Sequence, residues 1–589
     1  MVKQQRSAFL VTQSLKQYLV ASIITMAVFN LNTMVDGILM GNFLGPEALA
    51  AINLCLPVVN IITTAGVLLY AGAVLIGANA LGEMNRDRMN QVFTVSSFAQ
   101  WILGIVLLIV SEPLGGLLGR LVSNGSELAP LCEKYIRVLL LGSTVLIYAN
   151  ALSSFVNVCG YPKAVTVIMS LSVAVNLLMD ILLVRVIGMD IGGAAWASVA
   201  GNLVSVAGMV IFTTRRKGML KLDLSAKKPF SMMGEIIVRS VAQTISVLAV
   251  TALEVICNIF VQKAQGTSGM FVLSIGYSIL GVSSMVASGM NGAFMAIGGT
   301  MMGQKDYQGV RYLYRRGMII SLLTGAAFLL ISLLIPRPLA SLFGADTEEL
   351  QTLAAASIPL ICTFIMALTV LTPCTTHFQV IGRFALSSAV NLSIIISILV
   401  SCLAVSGIFP PEKIWLAFPM ACILCLLTLC GGTCIVKLIA GEKVSFPELV
   451  PAEETEIRTF DISVACTREA FEAGMQELWG WLNESKHSEL TPRIAHCVEE
   501  MLLNTIQHSG KNASHDIDVL LREDVAEVTA LLKDDGVPFN TSACLTANKT
   551  YGLMLAHHYC RNIEYSYSFG QNMTMMKWPV PDGANGENN

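Results

Sequence analysis

The chain has 589 residues, of which 54% are hydrophobic and only 13% are charged, and its formal net charge is -3 at pH 7. This composition excludes a soluble globular protein and predicts many helices that span a bilayer. The small net charge gives no reason to expect nucleic acid as a partner. The positions of the charges along the chain are more informative than their sum.

Twelve apolar runs of about 20 residues or more, the length that a helix needs to cross a bilayer, follow one another along the chain. They lie near residues 17–40, 47–77, 92–111, 131–158, 163–187, 192–213, 236–261, 268–300, 316–335, 352–376, 384–408 and 413–438. The first run is too long for a signal-peptide core, so we expect it to be retained. The fold prediction is an all-α polytopic membrane domain of 12 transmembrane helices, followed by a small α+β domain.

Basic residues concentrate in alternate loops. Residues 215–230, between the sixth and seventh runs, are strongly basic, whereas the loops on the other side carry acids such as Glu112, Glu127 and Asp190. Because positively charged loops remain in the cytosol, we expect a multi-pass protein of the plasma (inner) membrane with both termini cytoplasmic.

The two sets of six runs resemble each other. Gly82-Glu-Met-Asn-Arg after the second run corresponds to Gly303-Gln-Lys-Asp-Tyr after the eighth, and Gly160-Tyr-Pro-Lys corresponds to Gly382-Arg-Phe. We therefore predict an N-terminal six-helix half at residues 1–220 and a C-terminal six-helix half at 221–445. Transporters built from such halves bind substrate between them.

Three carboxylates lie well inside the apolar runs: Asp36, Asp180 and Glu254. Insertion scales put the cost of such a group at roughly 2.5–3.5 kcal/mol, so it usually has a function. Asn176 precedes Asp180 by four residues, which places both on one face of a helix. The alternative is an acid paired with a neighbouring helix for packing alone.

We expect Asp36 and Asp180 to reach similar depths, which permits them to meet in one cavity of the first half. A carboxylate withdrawn from water beside another can pass between charged and neutral forms, taking up H⁺ or ligating Na⁺. The hypothesis is that this pair carries the coupling ion, assisted by Asn176 and Ser198. Glu254 is interpreted as a substrate-cavity acid or a packing residue.

Several of these segments together resemble the multidrug and toxic compound extrusion (MATE) family. They are Leu31-Asn-Thr-Met-Val-Asp36-Gly-Ile-Leu-Met-Gly41, Leu44-Gly-Pro-Glu-Ala-Leu-Ala-Ala-Ile, Asn176-Leu-Leu-Met-Asp180 and Gly192-Gly-Ala-Ala-Trp-Ala-Ser198. The resemblance covers about residues 10–440. It implies a V-shaped antiporter that expels organic, often cationic, compounds while H⁺ or Na⁺ enters, and it implies the same four ion-coupling positions.

The chain becomes polar after residue 447, and six of its seven histidines lie in the tail. We predict a linker at 446–456 and a cytosolic domain at 457–589. Its expected order is helices at 468–484 and 492–508, strands at 516–521 and 526–532, a short helix from Gly552 and a hairpin at 563–578.

Three short motifs in the tail resemble the GHKL nucleotide-binding fold, closest to the anti-sigma-factor serine kinases. They are Glu500 with Asn504, then Asp534-Asp-Gly536, and later Gly552-Leu-Met-Leu. The resemblance implies Mg-ATP as cofactor. The Asn504 carbonyl suits Mg²⁺, Asp534 suits the adenine amino group, and Gly536 permits close approach. Gly552 opens a helix that would face phosphate, and Glu500 would be the catalytic base.

The leading hypothesis is an ion-coupled exporter of small amphipathic or cationic compounds with a nucleotide-binding regulatory domain. The alternative is a membrane receptor whose tail acts as a serine kinase or ATP-dependent regulator, and a lipid-linked-substrate flippase is a third option. Expected partners are the bilayer, a small-molecule substrate and a cytosolic regulatory protein. Kinase or ATPase turnover in the tail is left open.

Overall fold

A computed structural model describes residues 6–124, 127–216, 219–343, 347–452, 457–508, 516–540, 558–560 and 562–580. Helices α1 to α8 are Phe9–Leu44, Pro46–Gly82, Arg86–Ile109, Ser111–Val122, Ala129–Leu141, Ser143–Val158, Pro162–Asp180 and Ile191–Arg215. Helices α9 to α15 are Pro229–Ala293, Gly299–Gly303, Tyr307–Leu334, Pro336–Leu342, Glu348–Val380, Phe384–Ile408 and Ala417–Ala440. Ile181–Val186 and Phe294–Gly298 are π-helical.

Ten helices in the described part of the chain are long and apolar enough to cross a membrane, or eleven if the bent pair α5 and α6 is one span. The predicted count of twelve is therefore not confirmed. The structure joins two predicted spans, 236–261 and 268–300, in one 75-residue helical stretch, Pro229–Gly303. Gly266 within it has a non-helical φ of 59°, which a glycine adopts without steric cost.

Glycines bring the two halves together at one end of the bundle. A Cβ on Gly82, at the end of α2, would lie 2.0 Å from the Thr300 main-chain oxygen, and one on Gly303 would lie 2.0 Å from the Asn79 oxygen. At Gly72 the corresponding contact is the Ile236 oxygen at 2.1 Å. We call this end the domain side, because the C-terminal domain lies on it, and the opposite end the far side.

The C-terminal domain is a five-stranded antiparallel sheet with helices α16 (Arg468–Asn483) and α17 (Thr491–His508) on one face. The strands are β1 (Arg458–Ala465), β2 (Asp516–Glu523), β3 (Glu527–Asp534), β4 (Asn562–Ser568) and β5 (Gln571–Pro579), in the order β1-β2-β3-β5-β4. The two predicted helices, two strands and hairpin correspond to these elements, whereas β1 was not predicted. The expected helix at Gly552 lies outside the described residues.

Alternation along the strands explains why both faces of the sheet are buried. Residues such as Val519, Leu532 and Met576 pack against the two helices. The opposite face carries a second apolar cluster, in which Leu520, Leu531, Met573 and Met575 pack against Met84 of the α2–α3 loop. The domain thus docks on the membrane domain through the sheet face that its own helices leave open.

The segment between α15 and β1 also packs against the helices. Val444, Leu449 and Val450 are buried. Glu448 accepts a 2.6 Å hydrogen bond from Arg315 Nε, and its main-chain oxygen lies 2.8 Å from His377 Nε2. These contacts therefore hold the connection between α15 and the C-terminal domain against the helices of the second half.

Candidate functional site

Two carboxyl groups from distant parts of the first half face each other. Asp36 of α1 and Asp180, the last residue of α7, lie within hydrogen-bonding reach of one another. Asp180 is 0% exposed, and no donor among the described residues reaches either of its oxygens. Two acidic groups placed like this cannot both stay charged without a counter-ion, so the pair needs a shared proton or a cation.

The helix changes character directly after Asp180. The α-helix ends there, and the π-helical turn Ile181–Val186 follows. Such turns are frequent at functional sites, because they interrupt the regular hydrogen-bond ladder and re-aim neighbouring side chains. This pair lies toward the far side, since α7 ends at Asp180 and α1 ends eight residues after Asp36.

Close packing of α7 on α8 fixes the position of Asn176. The Ser172 hydroxyl donates to the Gly201 oxygen at 2.6 Å, and a Cβ on Gly201 would lie 2.9 Å from that of Asn176. Asn176 is buried one turn before Asp180, and its Nδ2 has no hydrogen-bond partner among the described residues. An amide without a hydrogen-bond partner therefore lies one helical turn from Asp180, and its assistance to the pair stays a prediction.

Ser198 lies on α8, one turn from Gly201, and is half-buried. Because α7 and α8 are antiparallel, Ser198 lies at about the same height along the helix bundle as Asp180. No hydrogen bond joins the described Ser198 hydroxyl to either carboxylate. Its assistance to the pair therefore stays a prediction.

Tyr135 of α5 is a member of this site that the sequence did not indicate. Its side chain is buried and interacts electrostatically with both Asp36 and Asp180. A phenol hydroxyl can donate to a charged carboxylate or accept from a protonated one. A lone tyrosine in an apolar run gives no periodic signal, so only the packing of α5 reveals it.

The second half has a different set of groups around its acid. The Tyr277 hydroxyl donates to the Glu254 main-chain oxygen at 3.1 Å and to Asn258 Oδ1 at 2.9 Å. Cys257 interacts with both Glu254 and Cys402. Cys402 therefore belongs to the same group of side chains as Glu254, and no second carboxylate is described in that group. The two halves share a layout and differ in chemistry.

A cavity of about 420 Å³ lies between the halves, toward the domain side. Its polar lining includes Tyr18, Tyr70, Asn157, Gln243, Asn291 and Thr376, and none of the described residues that line it is charged. Glu254 is not among its lining residues, so the role proposed for Glu254 in a substrate cavity stays a prediction. The lining suits an amphipathic molecule that offers both apolar surface and hydrogen-bonding groups.

In the C-terminal domain, Glu500 and Asn504 are joined by hydrogen bonds one turn apart on α17. Asn504 Nδ2 donates to the Glu500 main-chain oxygen at 2.8 Å and to its Oε1 at 3.0 Å. These two bonds do not use the Asn504 side-chain carbonyl oxygen, and an amide oxygen suits a hard ion such as Mg²⁺. Among the described residues no group of three or more histidine, cysteine or acidic side chains could hold a metal.

Asp534 ends β3 on the helix-covered face of the sheet. Its Oδ1 accepts from the Gly536 N–H at 2.9 Å and from Asn572 Nδ2 at 2.8 Å. Burial raises the pKa of Asp534, although these bonds oppose the rise. The second carboxylate oxygen fits an exocyclic amine such as that of adenine. Gly552 lies outside the described residues, so the phosphate side of this site stays a prediction.

The long apolar helices, the cavity among them and a carboxyl pair with one fully buried member define a polytopic membrane transporter. The MatE family profile matches residues 21–182 and 243–403, more than half of the 589 residues. The chain belongs to the MatE family.

Known proteins similar to this chain agree with that assignment. The chain is 20% identical to the probable multidrug resistance protein YoeA of Bacillus subtilis over 59% of its own length and 77% of that protein. It is 21% identical to the multidrug export protein MepA of Staphylococcus haemolyticus, covering 45% of itself and 60% of MepA, under two thirds of that relative. An outward-facing multidrug resistance MATE transporter superposes with a TM-score of 0.67 at 19% identity, over 74% of this chain and 99% of that one.

Proposed function

We propose that the protein is an H⁺- or Na⁺-coupled antiporter that exports small amphipathic or cationic compounds, with a cytosolic nucleotide-binding regulatory domain. The observation that carries the proposal is the pair of half-buried Asp36 and fully buried Asp180, in which no hydrogen-bond donor of the described structure reaches either carboxylate oxygen of Asp180. The matched relatives are named as drug-resistance and export proteins, which favours an exporter over a receptor.

The pair acts as a two-state ion site. With H⁺ or Na⁺ between the carboxyls, their mutual repulsion is removed and the helices can pack closely. After the ion leaves, the charged pair draws in water and favours a looser arrangement of α1 against α7. Asn176 supplies a hydrogen-bond donor to the pair. The Tyr135 hydroxyl can donate to the charged carboxyls or accept from a protonated one.

Helix α1 connects the ion site to the substrate cavity. It carries Tyr18 and Met26 of the cavity lining as well as Asp36 of the pair. A change of packing at Asp36 can therefore be transmitted along one rigid element to the cavity. The aromatic rings of Tyr18 and Tyr70 suit organic cations, since a cation is attracted to the face of an aromatic ring.

The domain side is assigned to the cytosol of the plasma (inner) membrane. The loops on that side contain basic residues such as Arg86, Lys163 and Arg383, whereas Glu112 and Asp190 lie on the far side. Positive loops remain cytoplasmic, so substrate would enter the cavity from the cytosol and leave on the far side.

Transport by purified protein in proteoliposomes tests the exporter. We expect an imposed proton or sodium gradient, applied separately, to drive uptake of an organic cation such as ethidium into the vesicles. In these vesicles the domain side of the transporter faces the external medium. ATP alone should drive none, because ATP regulates and does not power the movement. Uptake that requires ATP and ignores both gradients would contradict the antiporter.

Calorimetry on the full-length protein tests the nucleotide site. Bound Mg-ATP would supply phosphate charge beside α17, and the chain's own residues would hold its base and metal. We expect Mg-ATP binding, weakened by about tenfold or more in Asn504→Ala and in Asp534→Asn, since each loses about 1.5–3 kcal/mol of a charge-assisted contact. Arg468→Gln, which breaks an exposed pair with Glu472, is the matched control. A full-length protein that binds no Mg-ATP overturns the nucleotide proposal.

A further inference from the structure

Four charged side chains from distant parts of the chain form one buried cluster between the membrane domain and the C-terminal domain. Arg6 makes two bonds to Asp306, of which the Nη2–Oδ2 bond is 2.8 Å, and its Nε lies 3.1 Å from Asp518 Oδ2. Lys533 Nζ donates to Asp306 Oδ2 at 2.7 Å. The side chains of all four are at most 2% exposed, and the two cations balance the two anions.

The cluster is fully desolvated, so its members depend on one another. Burial opposes the charge of Asp306, yet Arg6 and Lys533 hold the pKa of this carboxyl well below its ordinary value. Burial likewise opposes the charge of Arg6, but Asp306 and Asp518 raise its pKa. Taking one partner away from such a cluster leaves an uncompensated buried charge, which is far more costly than losing a surface pair.

The members of the cluster come from three structural units. Arg6 precedes α1 of the first half, and Asp306 caps α11 of the second half by accepting from the Gly309 N–H. Asp518 and Lys533 lie on β2 and β3. The C-terminal domain therefore joins the first half to the second half through Arg6 and Asp306.

Other contacts extend this connection across the domain side. Gln571 Nε2 donates to the Leu10 oxygen and to the Ser14 hydroxyl, both at 2.8 Å. On the second half, Gln304 Nε2 lies 3.2 Å from Met573 Sδ. The same end of the bundle holds the tight contact of Gly82 with Gly303. The sheet thus covers the place where the halves meet.

Strands β3 and β5 carry this interface on one face and the nucleotide residues on the other. Lys533 of the cluster immediately precedes Asp534, and Met573 immediately follows Asn572, which bonds to Asp534. Successive residues of a strand point to opposite faces. A ligand at Asp534 would therefore contact β3, the strand that carries Lys533 of the cluster.

We propose that the C-terminal domain is a latch whose open sheet face, through the cluster of Arg6, Asp306, Asp518 and Lys533, holds the two six-helix halves together on the domain side. The domain side then opens only when the latch releases. This inference rests on the proposed function for its setting, an alternating-access transporter, but not on which ion or compound moves.

Distance measurement between spin labels on the two halves tests the latch. Labels at Asp87 of the first half and Ala385 of the second are attached through unnatural amino acids, because the chain contains 15 cysteines. Both positions are exposed on the domain side. A second label pair, Asp87 with Asp524 of the C-terminal domain, reports docking. The full-length protein is used without substrate, so a protein that transports nothing still gives an answer.

Asp306→Asn is the test variant, because asparagine still caps α11 while the cluster loses its central charge. We expect the docked-to-undocked ratio to fall by about 100-fold or more, and the Asp87–Ala385 distance to lengthen in the same molecules. Lys533→Met, which leaves the membrane domain unchanged, should do the same and serves if Asp306→Asn does not fold. The matched control is Asp190→Asn, a capping aspartate paired with Lys134 in an exposed site on the far side, which should change neither distance.

Two results would overturn the latch. One is undocking of the domain with no change in the distance between the labels on the two halves, which would show that the domain does not hold the halves together. The other is persistence of both distances in Asp306→Asn and Lys533→Met, which would show that the cluster does not hold the domain.

Discussion

Asp36→Asn and Asp180→Asn are each expected to abolish gradient-driven transport, lowering the initial rate to the background of empty vesicles, while the protein still folds and inserts. Asparagine keeps the size of aspartate but cannot take up or release a proton, and it ligates Na⁺ without neutralising it. Each change therefore leaves half of a site that needs two carboxyls. Removing a charge from the buried Asp180 position should also make the first half more stable rather than less, because burial penalises charge.

Glu254→Gln provides the comparison for this prediction. Glu254 has Cys257 and Tyr277 nearby and no second carboxylate described beside it, so it cannot form the same two-acid site. We expect it to retain gradient-driven transport within a few-fold of wild type. If Asp36→Asn and Asp180→Asn transport as well as Glu254→Gln, the carboxyl pair does not couple the ion.

Gly303→Ala and Gly82→Ala are expected to prevent closure of the domain side. Each added methyl would lie 2.0 Å from a main-chain oxygen of the other half, Asn79 or Thr300. A helix backbone cannot move away from the added methyl group as a flexible side chain can. Overpacking of this kind costs about 1–3 kcal/mol, which lowers the population of the closed form by about 5- to 150-fold.

Label distances across the halves and transport rates both measure that effect. The spacing between Asp87 and Ala385 should lengthen, and the transport rate should fall, because the transporter can no longer return to this conformation. Gly281→Ala is the matched control, since this glycine of α9 has nothing within 4 Å of an added Cβ. If Gly303→Ala and Gly281→Ala had the same label distance and the same transport rate, the glycine contact would not control closure.

The sequence predicts the long helices well because a bilayer leaves the backbone few alternatives. It is less accurate at helix ends: α1 begins at Phe9, not near residue 17, since polar residues on the domain side continue the helix under the docked domain. The similar depth of Asp36 and Asp180 in their helices permits them to meet but does not require it. Tyr135 was not predicted, because its neighbours in space come from α1 and α7 and not from its own run.

The C-terminal domain shows the same limit. Strand β1 was missed although Phe460, Ile462 and Val464 alternate with polar residues, the period of a half-buried strand. The charged cluster could not be predicted, because Arg6, Asp306 and Lys533 lie hundreds of residues apart and each has the sequence context of a solvated charge. Only tertiary packing brings them together.

The most direct measurement of the coupling claim is the affinity of an organic cation such as ethidium for the detergent-solubilised protein, taken as a function of pH and of Na⁺ concentration. Binding linked to an ion at Asp36 and Asp180 must change with that ion, by reciprocity of linked equilibria. We expect the wild-type affinity to vary about tenfold or more with one of the two, and the double variant Asp36→Asn with Asp180→Asn to lose that dependence. An affinity that responds to H⁺ or Na⁺ equally in wild type and double variant, or to neither ion in wild type, would contradict the account.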